Sequence, residues 1–357
     1  RTARLDEELK AKLQAYKESL SREEIDKLVA DTKHLQEYQE EPSSQEDLEK
    51  IPMLTRADIS REIAPIYNEE MKIADIPTVF HEIETNGIGY LDLMFDLSDV
   101  PEKDLPMVGL LQAVLGIIDT EHYEYGELFN EINRHTGGIG TSLELYPDVT
   151  KVKEKEFKAT FEIKGKALYG QIPFAIRMMK EILTASKLDD EKRLKEILSM
   201  TKTRLQDRFL SAGHSAAALR AMSYKSPISK FKDTTNGIEY YQNIREMEEH
   251  FDEKKEEIIS GLKALSELLF RKGNVMISYT ASREGLAVLE EEIGSLKEAL
   301  YPERTPESRC ILHCEKKNEG FKTSSKVQFA AKAGNFIDAG EEYNGALQIL
   351  KVIMSYE

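Results

Sequence analysis

At 357 residues the chain is longer than a single core comfortably fills, so two or more folded units are expected. Hydrophobic residues make up 40% and charged residues 32%, which fits a water-soluble globular protein and excludes a disordered chain. The net charge of −16 repels phosphate backbones and argues against nucleic acid as a partner. No apolar run approaches the ~20 residues of a membrane span, so no membrane partner is expected. Two cysteines, Cys310 and Cys314, exclude a disulfide scaffold and point to a reducing compartment.

In chain order, Leu5, Leu9, Leu13, Tyr16 and Leu20 recur at helical spacing and draw one apolar stripe. Ser21-Arg22-Glu23-Glu24 is a capping-box pattern, in which the serine hydroxyl and the glutamate satisfy each other's backbone amides. It predicts a second helix that buries Ile25, Leu28, Thr32 and Leu35 and ends before Pro42. Arg1 has no preceding cap, so the first helix is expected to be entered midway. Residues 42–77, punctuated by Pro42, Pro52, Pro65 and Pro77, read as a connector.

Asn86-Gly87 is a tight-turn signal, and Ile88 to Asp96 alternates as a strand. Helices are expected over 104–118 and 123–136, the latter stopped by Gly137-Gly138. Ile139 to Leu145 and Glu156 to Lys164 read as two strands of a hairpin. Helices follow over 167–185, 190–222, 238–249 and 252–271, then a short strand from Val275 to Thr280 and a helix from Glu284 to Leu300. Tyr301-Pro302-Glu303-Arg304-Thr305-Pro306 is a linker. Beyond it, strands are expected at Cys310–Glu315 and Val327–Ala333, and a helix at Tyr343–Tyr356 that reaches Glu357 without a stop signal. So short a C-terminal unit reads as truncated. The strand-turn-helix at Thr85–Leu115 and a second at Lys326–Ile353 form a faint internal repeat.

No catalytic centre or metal site assembles from these elements. His81-Glu82-Ile83-Glu84-Thr85 matches the start of H-x-x-E-H, but Thr85 stands where the second histidine belongs, and the Asn86-Gly87 turn forbids the helix that zinc binding needs. Its plain reading is an exposed approach to a strand. Cys310, His313 and Cys314 supply three ligand types on a predicted strand, where a structural zinc site needs four. Gly137-Gly138-Ile139-Gly140 runs helix, glycines, strand, the reverse of a phosphate loop. In Ser211-Ala212-Gly213-His214-Ser215 there is no nucleophile elbow, and Ala212 with Ala216 to Ala218 suggests a small-residue packing face. His122 with Glu121 and Glu124 reads as solvated surface at a helix start.

Ile51-Pro52-Met53-Leu54-Thr55-Arg56-Ala57-Asp58-Ile59, Thr85-Asn86-Gly87-Ile88-Gly89-Tyr90-Leu91 and His135-Thr136-Gly137-Gly138-Ile139 together resemble the pitrilysin/insulinase superfamily of zinc peptidases, presequence-protease branch. Gly213-His214-Ser215-Ala216 and Val327 to Asn335 fit the same branch. The resemblance implies an α+β fold: a LuxS/metallopeptidase-like roll with a mostly antiparallel sheet packed on helices, preceded by a helical hairpin segment. Such proteins are clam shells of four homologous domains in two halves, joined by the hairpin.

Mapped by that resemblance, residues 1–52 are the C-terminal part of the hairpin linker, 53–300 a non-catalytic peptidase-like third domain, and 301–357 a linker and the truncated start of a fourth. The zinc ligands and catalytic glutamate belong to the first domain, so Zn2+ is expected in the N-terminal half and no cofactor here. The family's fourth-domain arginine and tyrosine fall beyond the last helix, so no catalytic, cofactor-binding or metal residue carries over. The implied partners are the N-terminal catalytic half of the same polypeptide and short unfolded peptides, in the cytoplasm or an organelle matrix. The competing expectation is a non-enzymatic assembly module of the same fold.

Overall fold

The computed structural model describes residues 2–62, 65–305, 309–324 and 326–355. Arg1, Pro306, Tyr356 and Glu357 therefore lie outside the described residues, as does the side chain of Leu5. Two compact units are present, Arg1–Pro65 and Ile66–Glu357.

The first unit is helical. Helices α1 (Thr2–Ser19) and α2 (Arg22–Glu40) are separated by the expected capping box: Ser21 Oγ accepts from Glu24 N at 3.3 Å, and Glu24 Oε2 accepts from Ser21 N at 2.8 Å. The predicted buried face of α2 is not buried. Leu28 and Leu35 are half exposed, because nothing within this unit forms a second layer over the stripe. A short helix, α3 (Gln45–Glu49), capped by Ser44, occupies part of the expected connector.

The second unit is built on one six-stranded sheet. Its strands are β1 (Glu69–Ile73), β2 (Ile76–Glu82), β3 (Ile88–Asp96), β4 (Ile139–Pro147), β5 (Phe157–Leu168) and β6 (Val275–Ala281), in the order β1-β2-β6-β3-β5-β4. All neighbours are antiparallel except β2 and β6. The expected strand at 88–96 and the β4–β5 hairpin are present, within a mixed, mostly antiparallel α+β architecture.

Strands β1 and β2 replace the rest of the expected connector. Pro77 fits inside β2 because the pairing with β6 begins only at Thr78, so its missing N–H costs no bond on that side. The turn between β1 and β2 is Ala74-Asp75, with φ of +48° and +60°. Lys297 Nζ donates to the carbonyls of both residues, at 3.0 and 3.1 Å, and holds this left-handed turn from outside.

The helices of this unit are α4 (Leu105–Val114), α5 (Tyr125–His135), α6 (Ile172–Thr184), α7 (Glu191–Ser211), α8 (Gly213–Ser223), α9 (Pro227–Asn236), α10 (Ile238–Glu249), α11 (Phe251–Leu269), α12 (Arg283–Ala299) and α13 (Ala346–Ser355). The single helix expected over 190–222 is two, broken at Ala212. There a side chain on Gly213 would collide with the Phe329 ring. Helix α9 has no counterpart among the expected elements, although Ser226 caps it and Pro227 opens it.

Leu91, Leu93 and Phe95 of β3, Phe161 and Ile163 of β5 and Ile277 of β6 point to one face of the sheet and join a single core with α4, α6, α11 and α12. Phe95 and Phe161 meet Phe270 edge-on, with centroids 5.0 and 5.4 Å apart. Each such buried side chain contributes roughly 1.5–3 kcal/mol.

The strands expected at Cys310–Glu315 and Val327–Ala333 are absent, and both segments are irregular. Neither sits beside a sheet edge that could supply ladder bonds, since every strand of the sheet comes from residues 69–281. The expected second copy of the internal repeat thus lacks its strand, while its helix is α13.

Candidate functional site

The candidate site is the face of the sheet turned away from the helical core. Period-2 alternation brings Tyr90 and Asp92 of β3, Ser278 of β6, Glu162 and Lys164 of β5 and Tyr146 of β4 to this face. Tyr90, Tyr146, Leu168 and Met276 are exposed on it.

A polar network lies at its centre. Glu162 is fully buried; it accepts from Tyr146 Oη at 2.7 Å and Thr160 Oγ1 at 2.5 Å and forms an ion pair with Lys164 at 2.7 Å. Lys164 also reaches Glu144 at 3.1 Å and Asp92 at 3.6 Å. Three carboxylates thus share one ammonium. Burial, and then the neighbouring Glu162 charge, push Asp92 up to about 7. Burial alone would raise Glu162, but hydrogen bonds from Lys164, Thr160 and Tyr146 outweigh it and hold that carboxyl low. Burial, followed by the hydrogen bond to Glu162, raises the Tyr146 phenol. At neutral pH the cluster therefore holds Glu162 ionised beside an Asp92 poised to take or release a proton. It can present hydrogen-bond acceptors and negative charge to a ligand. It contains no nucleophile activated by a base.

His81 lies on the same face, in β2. Its ring nitrogens are 3.3 Å from Tyr67 O and 3.2 Å from Ser278 Oγ. The expected exposed approach is thus a half-buried strand residue, since β2 pairs on both sides. Among the described residues no group of three or more histidine, cysteine or acidic side chains could hold a metal ion, so the residues present do not fit zinc.

The other candidates remain apart. Cys310 N donates to Ser98 O at 2.6 Å, and His313 Nδ1 pairs with Glu102 at 2.8 Å. Burial, then Glu102, push the Cys310 thiol up to about 11, leaving it protonated and a poor metal ligand. Gly137 N donates to Lys166 O and starts the sheet, and Gly138 takes φ +109°, a helix stop. Ser211 Oγ donates to Asp207 O, and His214 rests 5.8 Å from the Phe329 ring.

His122 is not part of a loose surface cluster. Its amide and Nδ1 bind Glu181 of α6, at 3.1 and 3.0 Å, and Glu181 is almost wholly buried. Sequence reasoning also missed Arg220, which joins Asp233, Glu239 and Glu319 and fastens the segment around residue 319 to α8 and α9. No spacing rule links residues so far apart in the chain.

Comparison with known proteins decides the family. The family model for the peptidase M16 subfamily C associated region matches residues 1–247. The chain belongs to this family. It is 34% identical over 350 residues to "Protein HypA" of Clostridium perfringens, covering 98% of this chain and 36% of that one. It is 26% identical over 345 residues to "Presequence protease 1, chloroplastic/mitochondrial" of Arabidopsis thaliana, covering 95% and 31%. It is 25% identical over 253 residues to the mouse "Presequence protease, mitochondrial", covering 70% and 24%. The resemblance to the presequence-protease branch is thereby borne out, and the chain spans about a third of the length of its first two relatives. Among solved structures it is similar to a "peptidase M16 inactive domain" from Pseudomonas fluorescens, with 14% identity, a TM-score of 0.44 and coverage of 70% and 54%. Among the described residues of this M16-associated chain, no helix is long and apolar enough to cross a membrane.

Proposed function

We propose that this chain is the non-catalytic half of an M16 zinc metalloendopeptidase, and that the core-free face of its sheet forms one wall of a chamber enclosing short unfolded peptides. The observation that carries the reading is the cluster of Asp92, Glu144 and Glu162 around the single cation Lys164, set among exposed aromatic and apolar side chains on that face. An acidic, partly apolar wall suits an unfolded peptide with basic residues, and relatives named presequence proteases support that substrate class. Confinement raises the effective concentration of peptide at the chemical site and excludes folded proteins by size.

Zinc and its general base belong, in this reading, to the N-terminal half of the parent polypeptide, the chain's main partner. The compartment proposed is the cytoplasm, with an organelle matrix as the alternative that the relatives' names favour.

The test has two parts. Metal analysis of the purified chain is expected to find well under one zinc per molecule, with no chelator-sensitive peptide hydrolysis; one tightly held zinc refutes the division of labour. In the parent peptidase, Glu144→Lys is expected to raise KM for a basic peptide about tenfold with kcat little changed, the signature of lost uniform binding. An unchanged KM removes this face from the substrate path.

A further inference from the structure

The sheet ends at β4, and no strand pairs with its outer edge among the described residues. Asp148 N donates to Glu156 O at 2.9 Å, and the register then places the main-chain groups of Gly140, Ser142, Glu144 and Tyr146 towards β5. Those of Thr141, Leu143 and Leu145 point outward. Thr141 is accounted for: its carbonyl accepts from Gln112 Nε2 at 3.4 Å, and its hydroxyl donates to Gln112 O at 3.1 Å. Among the described residues, the outward N–H and C=O of Leu143 and Leu145 have no partner. Both residues border a groove of about 410 Å³ whose other walls come from α7, α8 and α9.

The groove is apolar inside and basic at its rim. Phe209, Ala212, Ala216, Leu219 and Phe231 line it, together with Arg208 and Lys232. Arg208 is half-buried, and its Nη1 donates to Asn236 Oδ1 at 3.0 Å, a neutral partner. The chain's other strongly buried cations, Arg220 and Arg271, are matched to carboxylates. Burial, and then Arg204 nearby, pull the Arg208 guanidinium below its ordinary value, as expected of a cation without a counter-charge. That is an anomaly in a chain with a net charge of −16.

We propose that this groove receives an extended peptide strand, which adds to the β4 edge at Leu143 and Leu145 and sets an acidic side chain against Arg208. Unpaired strand-edge groups beside an apolar trough are the ingredients of strand addition: the main chain supplies affinity, and alternate side chains supply selectivity. The docking window is short. Gln112 closes it at Thr141, and Pro147, which has no N–H, closes it at the other end, leaving room for roughly three to four paired residues at ~3.4 Å each. Charge complementarity selects the acidic strand, and the groove's position on the edge rather than the open face makes this site independent of the chamber reading.

The test uses the 357-residue chain and a fluorescein-labelled peptide of alternating valine and threonine with one central glutamate, followed by fluorescence anisotropy. The glutamate probe is expected to bind about tenfold more tightly than the same probe with lysine, a difference that Arg208→Gln abolishes. N-methylating the backbone amides that face β4 is expected to abolish binding to the unaltered protein, a control that perturbs no fold. The proposal is overturned by a glutamate probe that fails to bind at millimolar concentration, by binding indifferent to N-methylation, or by a glutamate preference that survives in the R208Q protein.

Discussion

Asp92 shows how a single carboxyl acquires its chemistry from its neighbours. Alone on a strand it would ionise near its ordinary value of about 3.9. Beside the buried Glu162, with Lys164 shared three ways, it is pushed up to about 7. The unfolded chain therefore releases this proton at a lower pH than the folded one. The group's contribution to stability is complete below about pH 4 and is lost as pH rises through about 7. Asp92→Asn removes that dependence. Its stability relative to the unaltered chain is expected to increase between pH 5 and pH 8 by about 1–2 kcal/mol, after discounting for the part of the carboxyl that solvent reaches. Urea unfolding at the two pH values measures it, and a difference that does not change with pH contradicts the coupling. The alternation of Tyr90, Asp92, Met94 and Asp96 was legible in the sequence. The encounter of Asp92 with Glu162 was not, because it depends on the register of β3 against β5.

Helices and hairpins were legible where their signals are local. The capping box at Ser21 and the glycine stop after α5 appear where the sequence places them, as does the β4–β5 hairpin. Strands β1 and β2 were hidden because their turn is Ala74-Asp75, without the asparagine or glycine that normally marks left-handed turn positions; Lys297, far along the chain, supplies the missing support. The strand pattern at 310–315 and 327–333 failed for the opposite reason, since local alternation cannot form a strand without a ladder partner. The packing of α4 on α9 was equally invisible. A Cβ on Gly109 would stand 2.5 Å from Thr235 O, a backbone atom that cannot swing away. Gly109→Ala is expected to cost about 1–3 kcal/mol, whereas Gly126→Ala, in α5 with nothing within 4 Å, is expected to add up to about 1 kcal/mol. Thermal melting of the two proteins separates the cases, and equal shifts would contradict the close approach.

For the molecule as a whole, the sheet of the Ile66–Glu357 unit is asymmetric. Its core face meets helices, and its opposite face carries an acidic network among exposed Tyr90, Tyr146, Leu168 and Met276. That arrangement, in a chain of the M16-associated family with no metal-holding group among its described residues, assigns it the work of a wall. A photo-crosslinking amino acid placed at Tyr90 in the parent peptidase tests this most directly. With an unfolded basic peptide present, position 90 is expected to crosslink to the peptide, and the same probe at the exposed Glu256 on α11 is expected to remain unmodified. Crosslinking at Glu256 and none at position 90 would contradict the account.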